Sequence, residues 1–176
     1  MKHILLFSLP LVAGCVPSEM AYIQPDGIEV ATLTGKFIRQ SMQDWERYEV
    51  RGVDDLLIQR SMLNDNAETV VRIAPGSHQI YVRFEYNRGR PASQFFRGPA
   101  EPTRAYYFLR ARFEAGREYQ VNGKIGAQFT ELWIEEKGTG RAVSARVPCT
   151  PRPRNAVTEA VCSKPAAEAG PRSNEL

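Results

Sequence analysis

Few side chains in this chain have the types and spacing that chemistry needs. His78 is one of two histidines, the other being His3 at the extreme N-terminus. A histidine of ordinary basicity can serve as a general base near neutral pH. Around His78, however, the sequence has no nucleophile elbow, glycine-rich phosphate loop or paired histidine ligands. His78 is therefore read as a residue at the start of a hairpin whose ring satisfies backbone groups of the turn. Asp54-Asp55 and Glu135-Glu136 are adjacent carboxylate pairs. Neighbours in a strand point to opposite faces, so neither pair forms a ready acid–base dyad, and both are read as solvated charges at turns or strand ends. The expectation is no catalytic residue, no cofactor and no metal: an enzyme of unrecognised type is the weakest reading.

One strand face is a candidate binding surface. Arg104, Tyr106, Phe108, Arg110 and Arg112 alternate with apolar residues and so share one strand face. Cations interleaved with aromatic rings can grip an anionic glycan, a lipid head group or a protein through stacking and charge. The plainer and preferred reading is a solvated outer sheet face, with arginine stems lying over the rings. The net charge of +3 is too small for nucleic acid, whose binders concentrate basic residues. Phe95-Phe96 could be an exposed contact, although such a pair more often folds back over an open end of a core.

The elements that must hold these residues read as strands. His78 to Tyr86 alternates His78, Ile80, Val82, Phe84 and Tyr86 on one face against Gln79, Tyr81, Arg83 and Glu85 on the other. Arg104 to Phe113 repeats the pattern, with Ala105, Tyr107, Leu109, Ala111 and Phe113 facing inward. Further strands are expected over Ile28–Phe37, Trp45–Val53, Thr69–Ala74, Glu118–Val121, Gln128–Glu136 and Arg141–Val147. Asp54 to Leu63 is ambiguous: Asp54 could cap a short helix, and Leu56 to Arg60 could equally be a strand. Pro75-Gly76, Ala115-Gly116-Arg117 and Lys137-Gly138-Thr139-Gly140 are turn signals, and the second of these is read as a hairpin turn. Asn87 to Thr103 is a long connection. About seven to nine strands punctuated by Gly and Pro predict an all-β, antiparallel β-sandwich spanning residues 28–149. Residues 15–27 read as a tether. Residues 150–176 read as a Pro-rich tail, with a short helix over Asn155–Cys162 and a disordered end.

The first residues carry a different signal. Met1-Lys2-His3 precedes the apolar run from Ile4 to Val12, and small residues follow. That is the order of a secretory signal. The run is well short of the ~20 residues a bilayer-spanning helix needs, and Pro10 would disturb one. Residues 1–14 are accordingly read as a signal peptide. Val12-Ala13-Gly14-Cys15 resembles the lipobox of bacterial lipoproteins. The resemblance implies that the Cys15 thiol receives a diacylglycerol, that the leader is cut just before it, and that the new amine is acylated. The alternative is an ordinary signal cut near Ala13 or Gly14, with Cys15 free or in a disulfide. Acyl chains contribute ~0.8 kcal/mol per buried methylene, and more than one gives stable anchoring. Val16 stands where an Asp often signals inner-membrane retention in that family, which leans towards the outer membrane, facing the periplasm of a bacterial envelope.

Three cysteines are present. With Cys15 lipidated, Cys149 and Cys162 remain, and export makes a disulfide the natural reading, against two unpaired thiols. Two cysteines and one histidine are too few for a closed zinc site. Finally, Ile73-Ala74-Pro75-Gly76-Ser77-His78-Gln79-Ile80-Tyr81-Val82 resembles the strand, Pro-Gly, His, strand hairpin of PEGA-like β-domains. Gly116 to Val121, Trp133-Ile134-Glu135 and Thr139-Gly140 look like the later part of lipoproteins that carry one. That likeness implies a non-catalytic scaffold: a lipid-anchored protein whose partners are the membrane, through its lipid, and an unidentified envelope protein or cell-wall component.

Overall fold

Twelve strands build two sheets, and no helix occurs among the described residues. The computed structural model describes residues 22–26, 29–59, 70–89 and 101–163. Cys15, the leader, most of the expected tether, Phe95-Phe96 and the end of the tail lie outside the described residues.

The first sheet has the order β10-β9-β8-β1-β5, from Val147–Cys149 (β10), Thr130–Glu136 (β9), Glu118–Ile125 (β8), Ala31–Thr34 (β1) and Val70–Ile73 (β5). The second has the order β11-β7-β6-β3-β2, from Arg152–Pro153 (β11), Thr103–Phe113 (β7), Gly76–Arg88 (β6), Asp44–Val53 (β3) and Lys36–Arg39 (β2). Leu56–Leu57 (β4) adds to β3, and Val161–Ser163 (β12) adds to β7. The all-β sandwich expected from the alternating pattern is present, and the strands beyond the expected number are short pieces such as β4, β11 and β12. Pairing is antiparallel except for β1 with β8 and β12 with β7, which run parallel.

The two long strands β6 and β7 pair over eleven positions, from Gly76↔Phe113 to Tyr86↔Thr103. Their inward rows, Ile80, Val82 and Phe84 against Ala105, Tyr107 and Leu109, are fully buried. Leu33, Val71, Ile73, Tyr119, Val121, Leu132 and Ile134 of the other sheet meet them in one core. Each fully buried side chain of this size contributes roughly 1.5–3 kcal/mol. Buried phenols keep partners: the Tyr107 hydroxyl bonds to Thr130, and the Tyr119 hydroxyl accepts the Glu114 N–H at 3.0 Å.

Several local expectations change where the chain passes between sheets. Ala115-Gly116-Arg117 is not a hairpin turn. It carries the chain from β7 in one sheet to β8 in the other, so that Phe113 and Tyr119 meet edge to face across the core at 5.0 Å. Pro75-Gly76 likewise forms a corner between β5 and β6 rather than joining paired strands. The expected strand Arg141–Val147 forms only isolated bridges, Glu135↔Ala142 and Ala111↔Ser144, before β10. These bridges join β9 of one sheet to β7 of the other and close one side of the sandwich. The helix expected over Asn155–Cys162 is absent. Its backbone is drawn instead to the open edge of β7, where the Tyr106 N–H donates to the Ala160 carbonyl at 2.8 Å and β12 follows. Within the expected tether, the Tyr22 N–H donates to the Leu57 carbonyl and its hydroxyl to the Arg72 carbonyl, each at 2.8 Å.

Cys149 and Cys162 form a disulfide. It links β10 of the first sheet to β12 on the second, across the same seam. A loop of this length is worth about 3 kcal/mol. A Cys149→Ser, Cys162→Ser double variant is expected to lose about that much in urea unfolding. Wild-type protein unfolded in reductant should match it.

Candidate functional site

The pairing of β6 with β7 sets the outer face as firmly as the inner one. Ser77↔Arg112, Gln79↔Arg110, Tyr81↔Phe108, Arg83↔Tyr106 and Glu85↔Arg104 lie side by side. The rows continue into β3 through Arg47, Glu49 and Gly52. All five expected binding residues therefore share one face, but their neighbours divide them into two groups.

At one end the charges satisfy each other. The Arg104 guanidinium donates to Glu85 at 2.5 Å and lies 3.9 Å from Glu159. Burial opposes its charge, and the bonds to Glu85 outweigh that, so it is held above its ordinary value. The Tyr106 hydroxyl donates to Glu159 at 3.1 Å. Glu49, with no exposed side-chain surface, pairs with Arg83 and with Arg51 at 3.1 Å. Tyr81 stacks between Tyr106 and Phe108, with ring centroids 5.7 and 5.0 Å away. Arg104 and Tyr106 are thus committed within the fold.

At the other end an open cleft of about 540 Å³ lies among Asp54, Asp55, His78, Gln79, Arg110 and Arg112. Asp54 and Asp55 form the two-residue turn between β3 and β4, with φ of 49° and 66° and Val53 paired to Leu56. Left-handed backbone at both positions is what a tight hairpin with matching twist requires, and Asp tolerates it well. This settles the Asp54–Leu63 ambiguity at its start in favour of a strand, β4. Because they sit in a turn, both carboxylates line the same cleft, unlike neighbours within a strand.

Asp54 works as a clamp. Its Oδ1 accepts the Gln79 N–H at 2.9 Å, and its Oδ2 lies 2.5 Å from His78 Nδ1. Burial alone would raise its pKa, but the Gln79 and His78 contacts prevail and hold it below its ordinary 3.8. The other ring nitrogen, Nε2, lies 3.0 Å from the Ala74 carbonyl. The ring lies between these two acceptors and ties the Pro75-Gly76 corner to the β3–β4 turn. That is the role expected of His78 from its position.

Arg110 and Arg112 differ from Arg104. Both are exposed, and among the described residues no carboxylate forms an ion pair with either. Among the described residues Arg110 has only a long bond, 3.4 Å, to the Gln79 side chain. Beside them lies a feature that sequence reasoning missed: an apolar groove of about 170 Å³ walled by Leu56, Leu57, Tyr81 and Phe108. Its floor is Gly52, next to an irregularity in the β3–β6 register. A Cβ there would lie 2.7 Å from the Leu56 carbonyl oxygen, so the hairpin closes over glycine alone. The only prior signal was Gly52 inside a strand, which marks a bulge or a close backbone approach. Asp55 borders both groove and cleft.

The other carboxylate pair is not solvated as expected. Glu135 is buried and accepts from Gln120 at 2.7 Å, Asn122 at 2.8 Å and the Trp133 indole at 2.8 Å. Glu136, also buried, pairs with Arg117 at 3.2 Å and Arg141 at 3.3 Å. The two serve separate structural networks. No group of three metal-ligating side chains occurs among the described residues, and no helix among them is long and apolar enough to cross a membrane.

Fold and cleft together define a two-sheet β-sandwich with an open, arginine-edged surface site. No protein-family model, curated protein or solved structure matches the chain.

Asp54→Ala removes the acceptor of the Gln79 N–H and the partner of His78, and is expected to cost about 1–2 kcal/mol in denaturant unfolding. The native pKa of Asp54 is lowered, so its contribution is complete above the ordinary carboxylate value and is lost as pH falls through the native value. Asp54→Asn keeps the turn and should flatten the loss of stability below about pH 4. Urea titrations across that range would show an unchanged slope if Asp54 were unlinked to folding.

Proposed function

We propose that this chain is a bacterial envelope lipoprotein, anchored through lipid on Cys15, whose β-sandwich is a non-catalytic scaffold. It holds an envelope protein or a cell-wall component through the surface that ends in Arg110 and Arg112. The placement at the outer membrane, facing the periplasm, comes from the lipobox-like start and from Val16. One observation carries the binding role: two exposed guanidiniums edge an open cleft without carboxylate partners among the described residues, while most other arginines on the same sheet are ion-paired. A cation left without a partner on a surface rich in carboxylates is available to an anionic group from outside. The place of His78 between the Asp54 carboxylate and the Ala74 carbonyl supports a non-catalytic reading. The Cys149–Cys162 disulfide is in keeping with an exported protein.

The same two arginines favour a second reading, a module for an anionic glycan or lipid. Here Tyr81 and Phe108 supply the stacking surface, and Arg104 and Tyr106 contribute through the packing of that surface.

Two measurements test these readings. Wild-type protein is expected in the membrane fraction of the native cell and Cys15→Ser in the soluble fraction; a variant that stays with the membrane removes Cys15 as the anchor. Retention of the Cys15→Ser protein, which lacks a lipid of its own, on isolated cell envelopes is expected to be salt-sensitive and to weaken about tenfold or more when Arg110→Ala or Arg112→Ala is added, as loss of a charge-assisted hydrogen bond implies. Retention indifferent to both substitutions would remove the cleft from the function.

A further inference from the structure

The apolar groove and the arginine-edged cleft are contiguous, and we infer that together they take the free carboxy terminus of a peptide chain whose last residue is apolar, which builds on the binding role proposed above and names its ligand. Phe108 and Arg110 are alternate residues of β7, so their backbone positions lie roughly 7 Å apart along the strand. Phe108 walls the groove, Arg110 and Arg112 edge the cleft, and Asp55 stands at the boundary between them. A ligand spanning the boundary meets an apolar recess, then a carboxylate acceptor, then two guanidiniums. The last residue of a peptide presents groups in that order within that reach: an apolar side chain, a backbone N–H and a terminal carboxylate. Arginine forks match a carboxylate with paired hydrogen bonds. Asp54 is already engaged within the fold, its Oδ1 accepting the Gln79 N–H at 2.9 Å and its Oδ2 lying 2.5 Å from His78 Nδ1. Asp55 is held only by a 3.4 Å bond from Gln79, which leaves acceptor capacity for an incoming N–H.

The other anionic ligands match less of this surface. An acidic glycan offers a carboxylate but no apolar group for Leu56 and Leu57. An anionic lipid has chains far longer than a groove of about 170 Å³ holds, and its phosphodiester would lie beside Asp55 with no N–H to offer it. Only the peptide terminus uses the groove, the acceptor and the cations at once.

The test uses the full lipidated protein in detergent and a dye-labelled hexapeptide ending in Leu, followed by fluorescence anisotropy. The free acid is expected to bind at least tenfold more tightly than its C-terminal amide, and replacing the last Leu by Ser should also cost about tenfold. In Arg110→Ala the acid and the amide should bind alike. Phe108→Ala removes part of the groove wall. Should its circular dichroism depart from wild type, Leu57→Ser replaces it, and either variant should erase the preference for Leu over Ser. Equal binding of acid and amide by the wild-type protein overturns the inference, as does an acid preference that survives Arg110→Ala. Arg110-dependent binding of a polyuronate or of anionic phospholipid vesicles, with no binding of the peptide, overturns the peptide terminus alone and leaves the binding role standing. Absence of binding to all three probes, together with envelope retention indifferent to Arg110, overturns both.

Discussion

Everything on both faces of the second sheet depends on the register between β6 and β7. Eleven consecutive pairs lock it, and side chains alternate with a period of two. A slip of β7 by one residue would turn Ala105, Tyr107 and Leu109 outward and drive Arg104, Arg110 and Arg112 into the core. The cost of that exchange holds the register, since a row of fully buried apolar groups stands against charges that cannot enter unpaired. The binding surface inherits its order from the core: Arg110 lies beside Gln79, and Phe108 beside Tyr81, because Leu109 must lie opposite Ile80.

The sandwich is closed at its margins by different devices. On one side the chain changes sheets between β1 and β2 at the buried Gly35. On the other, the bridges at Ala142 and Ser144, the strand β12 and the disulfide join β9 and β10 to β7. The disulfide also acts on the face. Glu159, three residues before Cys162, lies over Arg104 and Tyr106, so the covalent seam keeps one end of the surface occupied from within. At the opposite end no such segment arrives among the described residues, where Arg110 and Arg112 are exposed. The division between a self-paired half and an available half thus follows from where the chain returns after β10.

The Asp54-Asp55 turn links this surface to the fold. It seals β4 against β3, clamps His78 and the corner behind it, and brings Leu56 and Leu57 up as the wall of the groove. One two-residue turn therefore shapes both cavities, and the left-handed backbone it needs leaves little choice of residue beyond Asp, Asn and Gly.

Alternation alone determined the strands β6 and β7, the inward and outward rows, the sandwich class and the five residues of the arginine–aromatic face, because side-chain periodicity is a local property of the backbone. The pairing of Cys149 with Cys162 was likewise legible, through the count of cysteines and the reading of residues 1–14 as an export signal. Tertiary structure decided what local pattern could not. Turns at Pro75-Gly76 and Ala115-Gly116-Arg117 look alike whether they join neighbours in one sheet or cross between two; only the packing of Phe113 on Tyr119 settles the second as a crossing. The stretch before Cys162 could be a helix until an unfilled strand edge draws its backbone away. Glu135 and Glu136 read as solvated because their partners, Gln120, Asn122, Arg117 and Arg141, come from other strands and turns. Which arginines stay available was hidden for the same reason, since a charge is paired or unpaired according to what lies across the sheet, and that is fixed by contacts between residues distant in the chain.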